Sequence, residues 1–228
     1  MRTEILYEDA HILVCRKPAG IAVQSANASR ADMESELKNY LSATLPKGKA
    51  PYLGVVHRLD QPVKGVLVFA KTPQAAASLS KQVQDGTMEK IYHARVYGHP
   101  AAEEETLTDY LYKDGSNNTS SVVTEAFRKG PKGKLAKEGK LSYRVLSRAG
   151  EGTEAYADLE VRLFTGRHHQ IRVQLSHAGH PILGDTKYGN EASLALTDRL
   201  EIKELALEAF SLRFRHPATG KTMHMKSV

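Results

Sequence analysis

The 228-residue sequence is poor in the residues that build several common kinds of protein. It has one cysteine, Cys15, so an intrachain disulfide and a disulfide-built secreted scaffold are excluded. A single cysteine also excludes cysteine-rich zinc sites and cysteine-ligated iron–sulfur clusters. No apolar run approaches the roughly 20 residues of a membrane-spanning helix, and residues 1–10 lack the apolar stretch of a signal peptide. We therefore expect a cytoplasmic protein with no membrane association.

The sequence also lacks the glycine signatures that bind nucleotides. The glycine-rich stretch 179–189 does not have the order of a phosphate-binding P-loop, and no GxGxxG follows a strand. No GxSxG elbow is present, so serine hydrolase chemistry is unsupported. These absences predict a protein that works without a nucleotide cofactor.

What the sequence does contain is ordinary for a globular protein, with a moderate excess of positive charge. Hydrophobic residues are 41% and charged residues 25% of the chain, which argues against wholesale disorder. The formal net charge is +6, which favours a polyanionic partner. Segment 128–140 concentrates this charge, with six basic residues against one acidic residue, and reads as a basic loop. Such a loop is usually solvated, but it is a candidate RNA contact.

The hydrophobic pattern predicts an α+β fold with a mainly antiparallel, mixed β-sheet core and flanking helices. A hairpin is expected over 5–15, because two β-rich runs flank a turn. Strands are also expected at 66–70, 88–97, 105–112, 121–128, 140–148, 154–164 and 205–214, and helices at 31–45, 73–84, 167–178 and 191–198. Strand and helix do not alternate regularly along the chain, and no linker divides it, so a single domain over 1–228 is expected.

Two stretches hold residues suited to chemistry. In His57-Arg58-Leu59-Asp60 a carboxylate follows a strand and precedes a proline-containing turn, although a turn-capping aspartate would look the same in isolation.

The second stretch, 165–180, predicts a helix capped by Thr165 or Gly166, with Ile171, Leu175 and Ala178 on its buried side. Its histidines have no carboxylate at zinc-ligand spacing, and two arginines share the segment, so anion binding is favoured over a metal.

Five motifs in order resemble the RluA family of RNA pseudouridine synthases over nearly the whole chain. They are the opening hairpin through Lys17-Pro18-Ala19-Gly20, His57–Asp60 with 65–71, Lys90–Gly98, Thr165–Arg172 with 179–185, and the closing strand 205–217. Any one of these strings is weak, but five in the family's order make a chance match improbable. The resemblance implies the pseudouridine synthase fold and the isomerisation of uridine to pseudouridine in structured RNA, ribosomal or transfer, without a cofactor or a metal.

The resemblance also implies a role for each matched residue. Asp60 is the catalytic carboxylate, acting either as nucleophile at C1′ or as base at C2′. Arg172 is its basic partner, because a buried carboxylate stays ionised only beside a cation. Tyr92 stacks on the uracil and serves in proton removal from C5, and Arg58 fills the gap left by the flipped base. Further substrate-binding residues are expected at His57, Arg167, His168 and Gln170.

The sequence departs from the family pattern at three places. Val63-Lys64 replaces the usual Thr-Ser, while Gln174 and Glu208 stand where histidine is common. These departures bear on the target more than on the type of reaction. No upstream RNA-binding module precedes the first motif, so we expect the catalytic domain to bind RNA through its own basic surface. We also expect a monomer.

Two other functions compete with this interpretation. One is an RNA-binding or RNA-chaperoning module without catalysis, against which an intact set of Asp60, Tyr92 and Arg172 argues. The other is a metal-dependent hydrolase that uses Asp60 with His57, His168 and His169, against which the lack of a second nearby carboxylate argues.

Overall fold

The computed structural model describes residues 3–25, 31–43, 45–46 and 49–227. Strands in this part are β1 (Glu4–Glu8), β2 (Ile12–Lys17), β3 (Gly54–Val55), β4 (Lys64–Ala70), β5 (Glu89–Tyr97), β6 (Glu104–Asp114), β7 (Thr119–Val122), β8 (Lys137–Ala149), β9 (Tyr156–Leu163), β10 (Leu207–Arg215) and β11 (Thr222–Lys226). Helices are α1 (Met33–Ser42), α2 (Pro73–Gln84), α3 (Glu125–Lys129), α4 (Gln170–His177) and α5 (Glu191–Arg199). Among the described residues no helix is long and apolar enough to cross a membrane.

The chain divides into two compact units, residues 1–90 with 208–228 and residues 91–207. We refer to them as the first and the second unit. The sequence-based expectation of one domain over 1–228 remains a prediction, because compactness alone does not say whether each unit folds independently.

The first unit is a sheet in the order β1-β2-β4-β10, with β11 against β10 and β3 against β4. Its ladders are antiparallel except for the parallel pair β4–β10. At that pair a Cβ on Gly65 would lie 2.3 Å from the Ala209 carbonyl oxygen, and its φ is +124°, so only glycine fits where β4 begins. Helix α2 covers the apolar face around Val68 and Phe214.

The second unit is antiparallel throughout, in the strand order β5-β9-β8-β6-β7. Strand β5 alternates as its sequence predicts, burying Tyr92, Ala94 and Val96. The residues that follow α4 pair with the far end of β5, since Ile182 bridges to Val96 and the Tyr97 N–H donates to the Pro181 carbonyl. Helix α4 and strand β5 are therefore connected through this short extended segment.

The α+β class with a mainly antiparallel mixed arrangement is confirmed. The hairpin over 5–15 is confirmed, and helix 73–84 has the predicted bounds because Thr72 caps it and Pro73 opens it. Helix α1 lies within the predicted range 31–45, of which residue 44 lies outside the described part.

Four sequence-based assignments were wrong in part. The strand expected over 121–128 ends at Val122, because the Thr124 side chain caps helix α3. The supposed loop 128–140 consists instead of the end of α3, a 3₁₀ turn at 133–135 and the start of β8. The C-terminal strand β11 was missed.

The fourth error concerns the start of α4. Neither Thr165 nor Gly166 caps the helix, which begins at Gln170 after His169 adopts a left-handed conformation with φ +53°. The buried stripe continues through Ile171 and Leu175, but Ala178 is exposed.

Candidate active site

Asp60 lies on a turn in the first unit between β3 and β4. The turn closes with a hydrogen bond of 3.0 Å from the Val63 N–H to the Asp60 carbonyl. Leu59 is buried beneath the turn, Asp60 is half-buried, and Arg58 is exposed. The chain therefore anchors one side chain of this motif in the core and leaves its neighbours on either side accessible.

A buried lysine holds this turn in place. Lys17, the last residue of β2, has 0% of its surface exposed. Its ammonium donates to three main-chain carbonyls, those of Pro18 (3.0 Å), Gln61 (2.8 Å) and Val63 (2.7 Å). An ammonium has three N–H donors, so each donor has an acceptor here.

The charge of Lys17 is coupled to that of Asp60. Burial lowers the pKa of Lys17 to about 8, and the negative charge of Asp60 opposes that shift. The ammonium therefore remains charged at neutral pH. The turn that carries Asp60 is fixed by a positive group, and the same group favours the ionised carboxylate.

His57 precedes the turn and is bonded to the sheet. Its Nε2 accepts a hydrogen bond of 3.2 Å from the Val68 N–H on β4, which attaches this end of the turn to the strand. Burial, together with the charge of Lys90, lowers the pKa of His57 to about 3. The ring is neutral at physiological pH and provides no cation for a phosphate. A role for His57 in substrate binding remains a prediction.

Tyr92 and Arg172 both belong to the second unit and are both buried. Tyr92 lies on β5 opposite Val161 of β9, with 6% of its surface exposed. Arg172 lies on α4, and its guanidinium binds Asp185 through two hydrogen bonds of 2.7 Å, from Nε to Oδ2 and from Nη2 to Oδ1.

Asp185 was missed by the sequence reasoning. A buried arginine needs a counter-ion, and Asp185, 13 residues after Arg172, was an available carboxylate. Asp185 lies in the quoted motif 179–185, but its residue type alone did not reveal its partner.

The remaining predicted residues surround the start of α4. Gln170 is buried; its Oε1 accepts from the Thr165 hydroxyl (2.8 Å) and the Arg167 N–H (3.0 Å), and its Nε2 donates to Gln174. Arg167 is exposed, and its Nε donates to the Glu138 carbonyl at 2.7 Å. Gln170 thus organises the loop from within, whereas Arg167 presents charge at its surface. Substrate binding by either residue remains a prediction.

His168 and His169 stack on each other, with ring centroids 3.7 Å apart. Burial, with the charges of Lys113 and Arg172, lowers the pKa of His168 to about 4. Burial, with the charge of Arg172, lowers the pKa of His169 to about 3. The two nitrogens of His168 lie 2.9 Å from the Ser120 hydroxyl and 3.0 Å from the Asn118 amide oxygen. Both rings are neutral at pH 7, and both ring nitrogens of His168 are occupied by protein partners.

Each departure from the family pattern has a structural partner. Gln174 is fully buried and donates to Asp109 at 2.6 Å. Glu208 forms an ion pair with Arg16 at 3.3 Å and accepts from the Ser227 hydroxyl. At Val63 the buried side chain packs while the carbonyl binds Lys17, so this position serves the turn through its main chain.

Comparison with known proteins identifies the family. A model of the RNA pseudouridylate synthase family matches residues 11–177, which is most of the chain. This chain belongs to that family. The resemblance inferred from the five motifs is therefore confirmed, and the matched region includes Asp60, Tyr92 and Arg172.

Relatives of this RNA pseudouridylate synthase family member are named for two kinds of RNA, ribosomal and transfer. Ribosomal large subunit pseudouridine synthase D of Pseudomonas aeruginosa is 38% identical, over 98% of this chain and 67% of its own length. The tRNA pseudouridine synthase C of Vibrio parahaemolyticus is 30% identical, over 98% of this chain and 89% of its own. The chain spans about two thirds of the length of the curated large-subunit relatives it matches.

The fold is shared with solved structures of the family. Human RNA pseudouridylate synthase domain containing 1 superposes with a TM-score of 0.76 at 22% identity, covering 100% of this chain and 83% of the human chain. At that identity the likeness concerns the fold, which agrees with the α+β architecture predicted from the sequence.

Proposed function

We propose that this protein isomerises uridine to pseudouridine in structured RNA. In this reaction the N1–C1′ bond breaks, the base rotates, and a C5–C1′ bond forms; C5 loses its proton and N1 gains one. The observation that carries the proposal is the Asp60 turn, which presents the family's carboxylate on a main-chain frame held by the buried ammonium of Lys17. A rigid frame places a reacting group without an entropic cost at the moment of reaction.

Asp60 supplies the carboxylate at the sugar, as nucleophile at C1′ or as base at C2′. Both roles require the ionised form, which the positive charge of Lys17 favours. Arg172 is proposed as the basic partner of this carboxylate. In support, it is a buried and permanently charged group whose orientation is fixed by its fork-like pairing with Asp185.

Tyr92 and Arg58 handle the base. A uridine inside folded RNA has to leave its stack, at a cost of a few kcal/mol. Arg58 is exposed and planar, which suits a side chain that enters the gap. Tyr92 provides a ring to stack on the uracil and an oxygen to receive the C5 proton, directly or through water, since a phenol of ordinary pKa near 10 needs help to act as base.

The substrate class is proposed from the relatives and from the charge. Relatives of similar identity are named for ribosomal RNA and for transfer RNA, so RNA is the common element. In the second unit Lys132, Lys134 and Lys137 are exposed, as an RNA contact requires. A monomeric state, a cytoplasmic location and independence from nucleotide cofactors remain predictions that accompany this function.

The hydrolase alternative finds little support in the described residues. Both ring nitrogens of His168 and the Nε2 of His57 are engaged by protein atoms. In the ranges that the structure describes, no three His, Cys, Asp or Glu side chains are grouped to hold a metal.

Mapping pseudouridine in total RNA from cells with and without the gene tests the proposal. We expect one or a few sites to disappear, and the purified protein to restore them on transcripts made without modification. Tritium at C5 of uridine should be released in step with the product, because C5 exchanges its hydrogen for the bond to C1′. Binding of those transcripts without tritium release would instead support the non-catalytic RNA-binding module.

A further inference from the structure

Two side chains of the second unit, Asp185 and Tyr188, contact the guanidinium of Arg172. Asp185, with 1% of its surface exposed, takes the Nε and Nη2 edge of the guanidinium. Oδ1 of Asp185 also accepts from the main-chain N–H groups of Lys187 (3.0 Å) and Tyr188 (3.1 Å). The Asp185 carboxylate is therefore also held by main-chain donors of its own turn.

Tyr188 restrains the face of the same guanidinium. Its ring centroid lies 5.0 Å from the Arg172 Cζ. Its hydroxyl accepts from the Ser120 N–H at 2.8 Å and lies 2.7 Å from His169 Nδ1. The hydroxyl is therefore held from two sides, by a main-chain donor and by a ring nitrogen of His169.

The turn that carries Asp185 is itself attached to the strand of Tyr92. The Leu183 N–H donates to the Arg95 carbonyl of β5 at 2.9 Å, and Ile182 bridges to Val96. Gly189 closes the turn against the Asp185 carbonyl, where a Cβ would approach to 2.5 Å. A continuous set of contacts thus runs from β5 to Asp185 and on to Arg172.

We propose that Asp185 and Tyr188 are positioning residues for the isomerisation, which set the edge and the plane in which Arg172 presents its charge. Asp185 occupies the Nε–Nη2 edge and Tyr188 lies against the plane, so these two side chains restrict how the guanidinium can turn. Neither residue touches the substrate in this role. The inference rests on the proposed function, because it explains the orientation of Arg172, which that function assigns to the reaction.

A matched ion pair in the same unit provides the control. Arg95 binds Asp158 through the same two nitrogens, Nε to Oδ1 at 2.8 Å and Nη2 to Oδ2 at 3.1 Å, but both side chains are partly exposed. Asp158→Asn removes an equivalent fork without touching Arg172. Comparison with Asp185→Asn then shows whether losing the Arg172–Asp185 pair has an effect that losing another two-bonded arginine–carboxylate pair does not.

The first experiment measures single-turnover rate and RNA affinity for the wild type, Asp185→Asn and Asp158→Asn. A misplacement of about 1 Å costs about 10²-fold in rate, so Asp185→Asn should slow the reaction by that factor while RNA affinity is unchanged. Asp158→Asn should react at the wild-type rate. Rates are taken per folded molecule, from melting curves recorded on the same samples, so that partial unfolding does not imitate the effect.

Chemical rescue gives a measurement that a purely structural role does not move. In Arg172→Ala, added guanidinium ion should restore turnover with saturation, because Asp185 and Tyr188 still form its binding place. In Arg172→Ala/Asp185→Asn the same concentrations should restore nothing. Combined with Arg172→Ala, Tyr188→Phe keeps the aromatic ring and should retain more rescue by guanidinium than Tyr188→Leu.

The outcomes separate the two proposals. A wild-type protein that makes no pseudouridine on any mapped RNA overturns the proposed function. An active wild type with an equally fast Asp185→Asn variant, or equal rescue with and without Asp185, overturns the positioning role alone.

Discussion

The two units hold their candidate catalytic groups by different means. In the first unit one side chain, Lys17, binds three main-chain carbonyls and so fixes the turn that carries Asp60. In the second unit several side chains hold one another, with Arg172 bound by Asp185 and stacked on Tyr188. The comparison suggests that the first unit depends mainly on one buried anchor, Lys17, with His57 as a second attachment. The second unit distributes the task over a network of side chains.

The carboxylate itself should give the largest effect. Asp60→Asn keeps the size of the side chain and removes its charge, and we expect kcat to fall by about 10⁴-fold or more while RNA still binds. Lys17 contacts main-chain carbonyls, so the substitution leaves that anchor in place. Pseudouridine formation and RNA affinity are measured on the same preparation; near-normal turnover in the variant would contradict the assignment of Asp60.

Removing the anchor of the first unit should be the next largest effect. Lys17→Met fills the same volume but leaves carbonyls without a donor, so the free energy of unfolding should fall by about 1–3 kcal/mol. Turnover should fall as well, because the Asp60 turn loses its frame. Urea unfolding and kcat measure the two consequences.

Lys71 is the matched control for this prediction. Its ammonium binds Glu8 at 2.6 Å and the Asp9 carbonyl, but it is partly exposed. Lys71→Met should cost at most about 1 kcal/mol and leave turnover unchanged. Equal effects at positions 17 and 71 would show that Lys17 is not the main anchor of the first unit.

The pH dependence of the free energy of unfolding tests whether the fold keeps His57 of the first unit neutral. The pKa of His57 is lowered to about 3 in the folded protein from an ordinary value of 6.5, so below pH 6.5 the unfolded chain binds a proton that the folded chain does not. The free energy of unfolding should therefore decrease as the pH falls from about 6.5 towards 3, by up to about 1.4 kcal/mol per pH unit from this group.

The His57→Gln variant removes this titration but keeps an acceptor for the Val68 N–H. Urea unfolding between pH 7.5 and 4.5 should show a shallower decrease for His57→Gln than for the wild type. The exposed His99→Gln serves as control and should follow the wild-type curve. Parallel curves for His57→Gln and wild type would mean that His57 does not resist protonation in the fold.

The smallest effect is expected from the basic segment of the second unit. Each phosphate contact contributes about −0.7 to −0.9 to the slope of log affinity against log salt, so the triple alanine variant of Lys132, Lys134 and Lys137 should flatten the slope by about two. The modified uridine should not change, because phosphate contacts position the RNA without specifying its sequence.

Alanine at Lys81, Lys203 and Lys221 provides a control with the same loss of charge at other exposed sites. If both triple variants give the same slope, the segment is a solvated surface and the RNA contacts other basic residues, of which the exposed Arg58 and Arg167 are the first candidates.

Much of the architecture could be predicted from local pattern. Helix α2 has its predicted bounds because Thr72 and Pro73 determine its start in the sequence itself. Errors arose where a neighbour distant in sequence decides the conformation. The loop before α4 stays non-helical because the buried amide of Gln170 binds Thr165 and the Arg167 N–H, and no periodicity reveals such a bond.

The sequence by itself determined the family, since its five motifs are carried by residue identity and order alone, and with the family it determined Asp60, Tyr92 and Arg172 as candidates. Only the tertiary structure decided what holds those residues. No sequence pattern predicted the three carbonyls, those of Pro18, Gln61 and Val63, that the fold brings to the ammonium of Lys17. Asp185 became the partner of Arg172 because its turn packs against α4. The physical reason is that identity and periodicity are local, whereas the partner of a buried charge is set by which distant segments pack together.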